Sequence, residues 1–172
     1  DKFIGLGTKT VEITGGGDPL CYPHLNKYLA HLVDYALKIG LITNGINIDT
    51  IIDKTLLNKI QWIRISANVF DYKKYIDIPT NFTGTLGFSY VWTDGISSVE
   101  ILKQIQKIAL ANNTEYIRLV PNCLGTQEEQ QQRRSEDVST MVDAWETFAS
   151  GYDPENKLGT LGYLNFPMKW VS

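Results

Sequence analysis

Five short runs of apolar and β-branched residues recur along the chain, and each has the length of a strand. They follow one another at intervals of roughly 20 to 30 residues, which leaves room for one helix between consecutive strands. Several runs lack a clean alternation of polar and apolar residues, as is typical of strands buried on both faces. The predicted strands cover residues 11–14, 41–43, 62–66, 86–92 and 116–120.

The segments between these runs have apolar residues three or four positions apart, the period of an amphipathic helix. Residues 71–84 are the exception and are typical of a loop. The opening residues 1–7 predict the last turn of a helix that ends near Gly5 or Gly7. The apolar positions of the four predicted helices are Leu25, Leu29, Leu32, Val33, Ala36 and Leu37; Ile51, Ile52, Thr55, Leu56 and Ile60; Ile101, Leu102, Ile105, Ile108 and Ala109; and Val138, Met141, Val142, Trp145 and Phe148.

Alternating strands and helices predict an α/β fold, with a parallel sheet whose outer face is covered by helices. Five units are too few for a closed eight-stranded barrel. An open or partial barrel and a flavodoxin-like doubly wound sheet both fit the pattern. In either fold, ligands bind at the carboxyl ends of the strands. The residues that follow each strand are therefore the candidates for a functional site.

Charge and composition exclude several classes of function. The 172 residues have a net charge of −3 and no basic stripe, so we expect no binding to nucleic acid or to an anionic membrane. No apolar run approaches the roughly 20 residues of a membrane span. With no secretion signal in the sequence, we expect a cytoplasmic protein. The composition does not indicate an oligomeric state.

The residues that most often bind metals are few and scattered. Cys21 and Cys123 lie about a hundred residues apart, which supports neither a disulfide framework nor a zinc site built on paired cysteines. We expect Cys123 to be buried rather than reactive. His24 and His31 share a face of one predicted helix, but no partner ligands accompany them, so surface or capping roles are favoured over metal binding.

The first predicted strand runs directly into Gly15, Gly16 and Gly17, which are followed by Asp18 and Pro19. Glycine lets the backbone turn sharply and approach a ligand closely, and the start of the next helix offers free N–H groups. Neither the dinucleotide pattern GxGxxG nor the phosphate-loop ending GK[ST] is present. Asp18 would repel a phosphate and would suit the ammonium group of a ligand. The alternative is a plain strand-to-helix turn capped by Asp18.

Polar residues also follow the other predicted strands. The second strand ends in Thr-Asn-Gly at 43–45, which alone indicates only a turn. Alternation along the third strand places Arg64, Ser66 and Asn68 on one side, where they either line a site or face outward. Three further side chains are candidates to face a substrate by position alone: Tyr90, Trp92 and Asn122.

Four motifs, in order and at the expected spacing, resemble the core of the radical SAM superfamily over residues from about 3 to 125. They are VEITGGGDPLCYPHL (11–25), GLITNG (40–45), WIRISANV (62–69) and YIRLVPN (116–122). The first resembles the family's glycine-glycine-acid-proline motif, with Asp18 in place of the usual glutamate. The resemblance implies a partial (β/α)6 TIM-like barrel that holds S-adenosylmethionine across the carboxyl ends of its strands.

The resemblance also implies which residues contact this cofactor. The backbone from Gly16 to Asp18 would meet the methionine amino group. Ser66, and with it Arg64, would contact the ribose or the carboxylate, and the strand end at 120–121 would lie beside the adenine. Asn44 and Asn68 are looser matches. The implied set is Gly15, Gly16, Gly17, Asp18, Pro19, Asn44, Arg64, Ser66, Asn68, Val120 and Pro121.

The sequence departs from the family pattern at the cluster. Family members bind a four-iron four-sulfur cluster through CxxxCxxC after the first barrel strand, and this cluster drives reductive cleavage of S-adenosylmethionine to a 5′-deoxyadenosyl radical that abstracts a substrate hydrogen. The motif is absent here, and two distant cysteines cannot replace it. We therefore expect a fragment of a radical SAM enzyme that lacks the first βα unit. Its cluster ligands would lie outside this chain, which alone would be inactive.

Two alternatives to this interpretation remain open. One is a non-catalytic binding or scaffold module derived from the family, and the other, with less support, is a flavodoxin- or Rossmann-like nucleotide binder. We expect residues 1–125 to form the partial barrel core. Residues 126–172 would form a C-terminal helix and an irregular aromatic tail packed on the same domain. The expected partners are the small-molecule cofactor and an unidentified substrate.

Overall fold

A parallel sheet of five strands forms the centre of the molecule. The computed structural model describes residues 2–73, 75–93, 95–122 and 139–144. All five predicted strands are confirmed, with ends that differ by a few residues from the apolar runs. The strands are β1 (Thr10–Ile13), β2 (Lys38–Thr43), β3 (Trp62–Ser66), β4 (Thr85–Trp92) and β5 (Tyr116–Pro121).

The order of the strands decides between the predicted architectures. A doubly wound sheet places its first strand in the interior, in orders such as 2-1-3-4-5. Here the order is β1-β2-β3-β4-β5, with β1 and β5 at the two edges. Each strand pairs in parallel with the next, as in an arc of a (β/α) barrel. The α/β class and the partial-barrel arrangement are confirmed, and the flavodoxin-like alternative is wrong for these five strands.

Helices connect the strands on one side of the sheet. Ser98 begins the longest helix with a side-chain cap, accepting a hydrogen bond from the Ile101 amide at 3.3 Å. One short 3-10 helix, Pro19–Cys21, follows β1 after the glycine run, and another, Ala67–Asp71, follows β3 directly. The α-helices are α1 (Lys2–Gly5), α2 (Leu25–Asp34), α3 (Ile48–Ile51), α4 (Lys54–Leu57) and α5 (Val99–Ala111).

The two faces of the sheet differ in their surroundings because strand side chains alternate. One face packs into the core with the apolar stripes of α2 and α5, and its residues include Ile39, Leu41, Ile63, Ile65, Phe88 and Leu119, all buried. We call the other the open face, since its residues are half-buried or exposed except for two glycines, Gly40 and Gly87, which are covered by aromatic rings. The open face consists of Thr10, Glu12, Lys38, Gly40, Ile42, Trp62, Arg64, Ser66, Thr85, Gly87, Ser89, Val91, Tyr116, Arg118 and Val120.

Two glycines on the open face make room for aromatic rings. A Cβ atom at Gly40 would lie 2.1 Å from the Trp62 ring, and one at Gly87 would lie 2.2 Å from the Tyr116 ring. Each ring therefore lies directly against the backbone of the neighbouring strand. Because Trp62 and Tyr116 begin their strands, the rings fill the amino half of the open face, and the carboxyl half is left to smaller and polar residues.

The crossover from β2 to β3 differs from its prediction. The apolar period predicts one helix through Ile51 and Ile60, but the structure has two short helices, α3 and α4, separated at Ile52 and Asp53. Asn26 of α2 explains the break. Its side-chain amide donates to the Ile51 carbonyl at 2.8 Å and accepts from the Asp53 amide at 3.0 Å. These two backbone groups are thus satisfied by Asn26 instead of by a continuous helix.

The ends of the chain agree with the predictions where they are described. The opening helix α1 is followed by Gly7 with φ +85°, the left-handed conformation that often ends a helix. Residues 139–144 are helical, and Met141 and Ala144 are buried in the common core. The predicted helical positions Val138, Trp145 and Phe148, like the aromatic tail, lie outside the described residues, so the proposed C-terminal segment stays a prediction.

Candidate functional site

The glycine run forms an open loop at the carboxyl end of the edge strand β1. Gly15, Gly16 and Gly17 have φ angles of +75°, +65° and +109°, a succession that other L-residues adopt only with strain. All three are exposed, and a Cβ atom on any of them would meet nothing within 4 Å. The glycines are therefore required by the backbone conformation and not by tight packing.

A cleft of about 640 Å³ lies against this loop. Its walls include the exposed rings of Tyr22 and Tyr28 and the thiol residue Cys21. The amides and carbonyls of the three glycines make no hydrogen bond to another described residue. A ligand in the cleft would thus find unpaired backbone donors and acceptors.

Asp18 fastens the loop to the neighbouring strand end. Its Oδ1 accepts hydrogen bonds from the Leu20 amide at 2.9 Å and from the Thr43 hydroxyl at 2.7 Å. Its Oδ2 accepts from the Asn44 amide at 2.5 Å. The first of these bonds caps the 3-10 helix that starts at Pro19, so the capping role considered from the sequence is present. The same carboxylate also joins the ends of β1 and β2.

The Thr-Asn-Gly turn after β2 is held from within. The Thr43 hydroxyl accepts from the Gly45 amide at 3.1 Å, and the Asn44 side chain accepts from the Ile46 amide at 2.9 Å. Gly45 has φ +79°, and a Cβ atom there would lie 2.7 Å from the Asp77 carbonyl oxygen. The conformation of the turn is therefore well defined, and the side-chain oxygen of Asn44 is already bonded to the backbone of its own turn.

The three candidates after β3 have different surroundings. The Arg64 guanidinium lies 5.7 Å from the centre of the Trp62 ring, in a cleft of about 400 Å³ on the open face. Both ends of the Asn68 side-chain amide are hydrogen-bonded to the backbone of Val91. Its oxygen accepts from the Val91 N–H at 2.8 Å, and its nitrogen donates to the Val91 carbonyl at 2.9 Å. Only the Ser66 hydroxyl lacks a partner among the described residues. Ser66 is thus the most available of the three for a ligand.

Two residues suggested to face a substrate point the other way. Tyr90 and Trp92 are buried, because Ser89 and Val91 are the β4 residues that alternate onto the open face. The Tyr90 hydroxyl donates to Asp71 Oδ1 at 2.7 Å and lies 2.9 Å from Ser97 Oγ. Burial raises the pKa of the Tyr90 phenol far above its usual range, and Asp71 raises it further, although the bond with Ser97 lowers it. Tyr90 and Trp92 therefore belong to the core and do not face a substrate on the open face.

The far end of the candidate site lies at the opposite edge of the sheet. Val120 and Pro121 close β5 and are half-buried, and the Asn122 amide donates to the Trp92 carbonyl at 2.8 Å. Since the glycine run ends β1, a ligand that contacts both groups must extend over the ends of all five strands. The predicted residues therefore lie along the carboxyl ends of the strands and are spread across the sheet, so they do not form one compact pocket.

The described residues do not form a metal site. No group of three or more His, Cys, Asp or Glu side chains comes together within them. Cys21 is exposed, and Cys123 lies outside the described part of the chain. His24 and His31 each make an edge-to-face contact with a tyrosine ring. A four-iron four-sulfur cluster thus does not fit the residues of this part of the chain.

The helices within the described ranges are too short or too polar to cross a membrane. The longest of them, α5, spans Val99–Ala111 and has a polar face. No described segment offers the roughly 20 apolar residues that a helical span requires.

Two features of the site were not found from the sequence. Thr43 is buried and bonds to Asp18, which requires knowing that β1 and β2 are neighbours. Arg118 lies on the open face in the same row as Ser66 and Ser89. Alternation from Val120 along β5 was the signal that could have identified Arg118.

Comparison with known proteins supports the fold. No family profile and no curated protein matches the chain by sequence. Among solved structures, TYW1 with a lysine-pyruvate adduct bound is similar with a TM-score of 0.52 and 12% identity, over 83% of this chain and 50% of TYW1. Streptococcus suis SuiB bound to its precursor peptide SuiA gives a TM-score of 0.45 and 16% identity, over 65% of this chain and 28% of SuiB. SuiB bound to S-adenosylmethionine gives 0.45 and 15%, over 80% and 36%.

These proteins are radical SAM enzymes, and the present chain spans half of their length or less. The similarity to TYW1 concerns the fold alone, since the identity is 12%. At that level, the fold that the resemblance to the radical SAM core implies is confirmed. The ligand and the reaction are separate questions that the geometry of the site has to answer.

Proposed function

We propose that this chain is part of the core of a radical SAM enzyme and that it binds S-adenosylmethionine along the carboxyl ends of its strands. The observation that supports the proposal most directly is the glycine loop, in which three consecutive residues with positive φ present backbone groups that pair with no other described residue. The Asp18 carboxylate fixes this loop to the end of β2. Preorganised backbone groups of this kind suit the charged amino and carboxylate ends of an amino acid.

The proposed contacts follow from where each residue lies. The carbonyls of the glycine loop would accept from the methionine ammonium, with Pro19 starting the helix beneath the loop. Ser66, whose hydroxyl is unpaired, would contact the ribose or the carboxylate. Val120 and Pro121 would pack beside the adenine. Asn44, Arg64 and Asn68 remain members of the proposed set, although the Asn44 and Asn68 side chains already bond to neighbouring backbone groups.

The described residues of this chain do not supply ligands for the four-iron four-sulfur cluster of the parent enzyme. We propose that its cysteine ligands belong to a part of the parent protein beyond these 172 residues. A cluster held by those cysteines, together with S-adenosylmethionine, would supply the radical chemistry of the parent enzyme. The residues described here would bind and orient the cofactor. A search of the upstream coding sequence for three cysteines in CxxxCxxC spacing tests this part, and their absence would instead favour a non-catalytic binding module.

The binding itself is tested by isothermal titration calorimetry of the purified chain with S-adenosylmethionine. We expect submillimolar binding that is lost in Asp18→Ala, because the loop loses its attachment to β2. Asp34→Ala is the matched control: it removes an exposed aspartate at the end of α2, and we expect it to bind like the original chain. Failure of the original chain to bind, or equal losses in both variants, would contradict the proposed site.

A further inference from the structure

The register of the sheet brings Ser66, Ser89 and Arg118 into one row across the open face. Neighbouring strands lie about 4.8 Å apart, so the three side chains adjoin one another. The two serines are half-buried and Arg118 is exposed. None of the three side chains has a hydrogen bond or an ion pair with another described residue. Within the described part of the chain, the row therefore combines a guanidinium group with two hydroxyls that have no hydrogen-bond partner.

The surroundings of this row favour an anion. On its amino side the Tyr116 ring lies against Gly87, and on its carboxyl side Val91 and Val120 follow on the same face. These flanks are half-buried and Arg118 is exposed, so an anion would be held by charge-assisted hydrogen bonds at the surface of the open face. Arg64, one alternation step away on β3, adds a second positive charge. The acid on this face, Glu12, lines the same cleft as Arg64, but its strand β1 lies three strands from Ser89 and four from Arg118.

A guanidinium group with adjacent hydroxyls matches the oxygen atoms of a carboxylate or a phosphate. Arginine donates two parallel hydrogen bonds to either group, and serine hydroxyls donate to the remaining oxygens. We infer that Arg118, together with Ser89, binds the anionic group of a small molecule on the open face. Ser89 and Arg118 adjoin Ser66 and lie one alternation step below Val120, so such a molecule would lie next to a cofactor bound along the strand ends.

The row of Ser89 and Arg118 therefore indicates the class of substrate, a molecule that carries a carboxylate or a phosphate. That this molecule is the substrate rests on the proposed function, whereas the anion site rests on the row alone. We therefore assign Arg118 to the anionic group of the substrate, and calorimetry with Arg118→Gln distinguishes this role from a contact with the carboxylate of the cofactor.

The site is tested by NMR titration of the isotopically labelled 172-residue chain with inorganic phosphate and, separately, with propionate. We expect the amide signals of Ser89 and Leu119 to shift with saturation. Arg118→Gln should weaken binding by about tenfold or more, the loss expected for a charge-assisted pair. Lys107→Gln removes the same charge from an exposed position on α5 and should leave binding unchanged.

The two probes and a conservative variant identify the anionic group. Tighter binding of phosphate assigns a phosphate ester, and tighter binding of propionate assigns a carboxylic acid. Arg118→Lys should retain more of the phosphate binding than of the propionate binding, because lysine loses the two-bond fork to both groups but its point charge still attracts the more highly charged phosphate. Absence of shifts at Ser89 and Leu119, or equal weakening by Lys107→Gln, would overturn the inference.

Calorimetry with S-adenosylmethionine separates this inference from the proposed function. We expect Arg118→Gln to bind the cofactor as the original chain does. If the chain binds anions through Arg118 but does not bind S-adenosylmethionine, the proposed function fails and the anion site stands. If it binds the cofactor but neither anion, the anion site fails and the proposed function stands.

Discussion

Asp18 should be among the most important polar residues for the stability of the site, since its carboxylate accepts one hydrogen bond from the 3-10 helix after β1 and two from the end of β2. Replacement by alanine removes a helix cap worth about 1 kcal/mol. It also leaves the buried Thr43 hydroxyl without its acceptor, which costs roughly 1–2 kcal/mol more. With the bond from the Asn44 amide, we expect Asp18→Ala to lower the free energy of unfolding by about 3 kcal/mol.

A double-mutant cycle with Thr43→Val isolates the bond between these two side chains. The valine variant also leaves the Gly45 amide without its partner, but that loss is common to the single and the double variant and cancels. We expect the double variant to be less destabilised than the sum of the single variants by about 1 kcal/mol. The measurement is urea unfolding followed by circular dichroism.

Asp53→Ala provides the matched control for this cycle. Asp53 is also an N-cap residue followed by a helix, but its side chain makes no capping bond and is exposed. Its replacement should change the free energy of unfolding by less than about 0.5 kcal/mol. A loss in Asp18→Ala no larger than that of the control, or strict additivity with Thr43→Val, would refute the role assigned to Asp18.

Two further predictions concern the turn after β2 and the buried phenol. Gly45→Ala should cost about 2 kcal/mol or more in unfolding free energy, from a left-handed backbone and a Cβ placed against the Asp77 carbonyl; Gly16→Ala, with a similar φ and open space, should cost only about 1 kcal/mol, and equal losses in thermal melts would refute the contact. Because the pKa of Tyr90 is raised in the folded state, its stabilisation is complete below the pKa of an unfolded tyrosine, about 10, and falls by at most about 1.4 kcal/mol per pH unit above it. The difference in unfolding free energy between the original chain and Tyr90→Phe should therefore shrink above pH 10 in urea titrations, and a constant difference would contradict this.

The fold was predictable because its strands have strong local signals. The runs at β3 and β4 are apolar and bounded by turns, so their positions follow from the pattern with ends that differ by a residue at most. The glycine run after β1 marked the loop for the same local reason. The choice between a barrel arc and a doubly wound sheet was not local, since it depends on which strands pair.

The details that failed all depend on partners distant in sequence. The break between α3 and α4 is made by Asn26, which the apolar period of the crossover does not contain. Tyr90 was assigned to the wrong face because position near a strand end does not replace counting the alternation. The second function of Asp18, its bonds to Thr43 and Asn44, required the pairing of β1 with β2.

The side chain of Asn26 has a consequence for the dynamics of the crossover. Asn26 bonds to the Ile51 carbonyl and the Asp53 amide. This pair of hydrogen bonds therefore holds α2 against the segment between α3 and α4. Hydrogen exchange at the Asp53 amide should then report the separation of two helices and not the fraying of one. The two short helices would open together with α2 as a single cooperative unit, although each alone has only four residues.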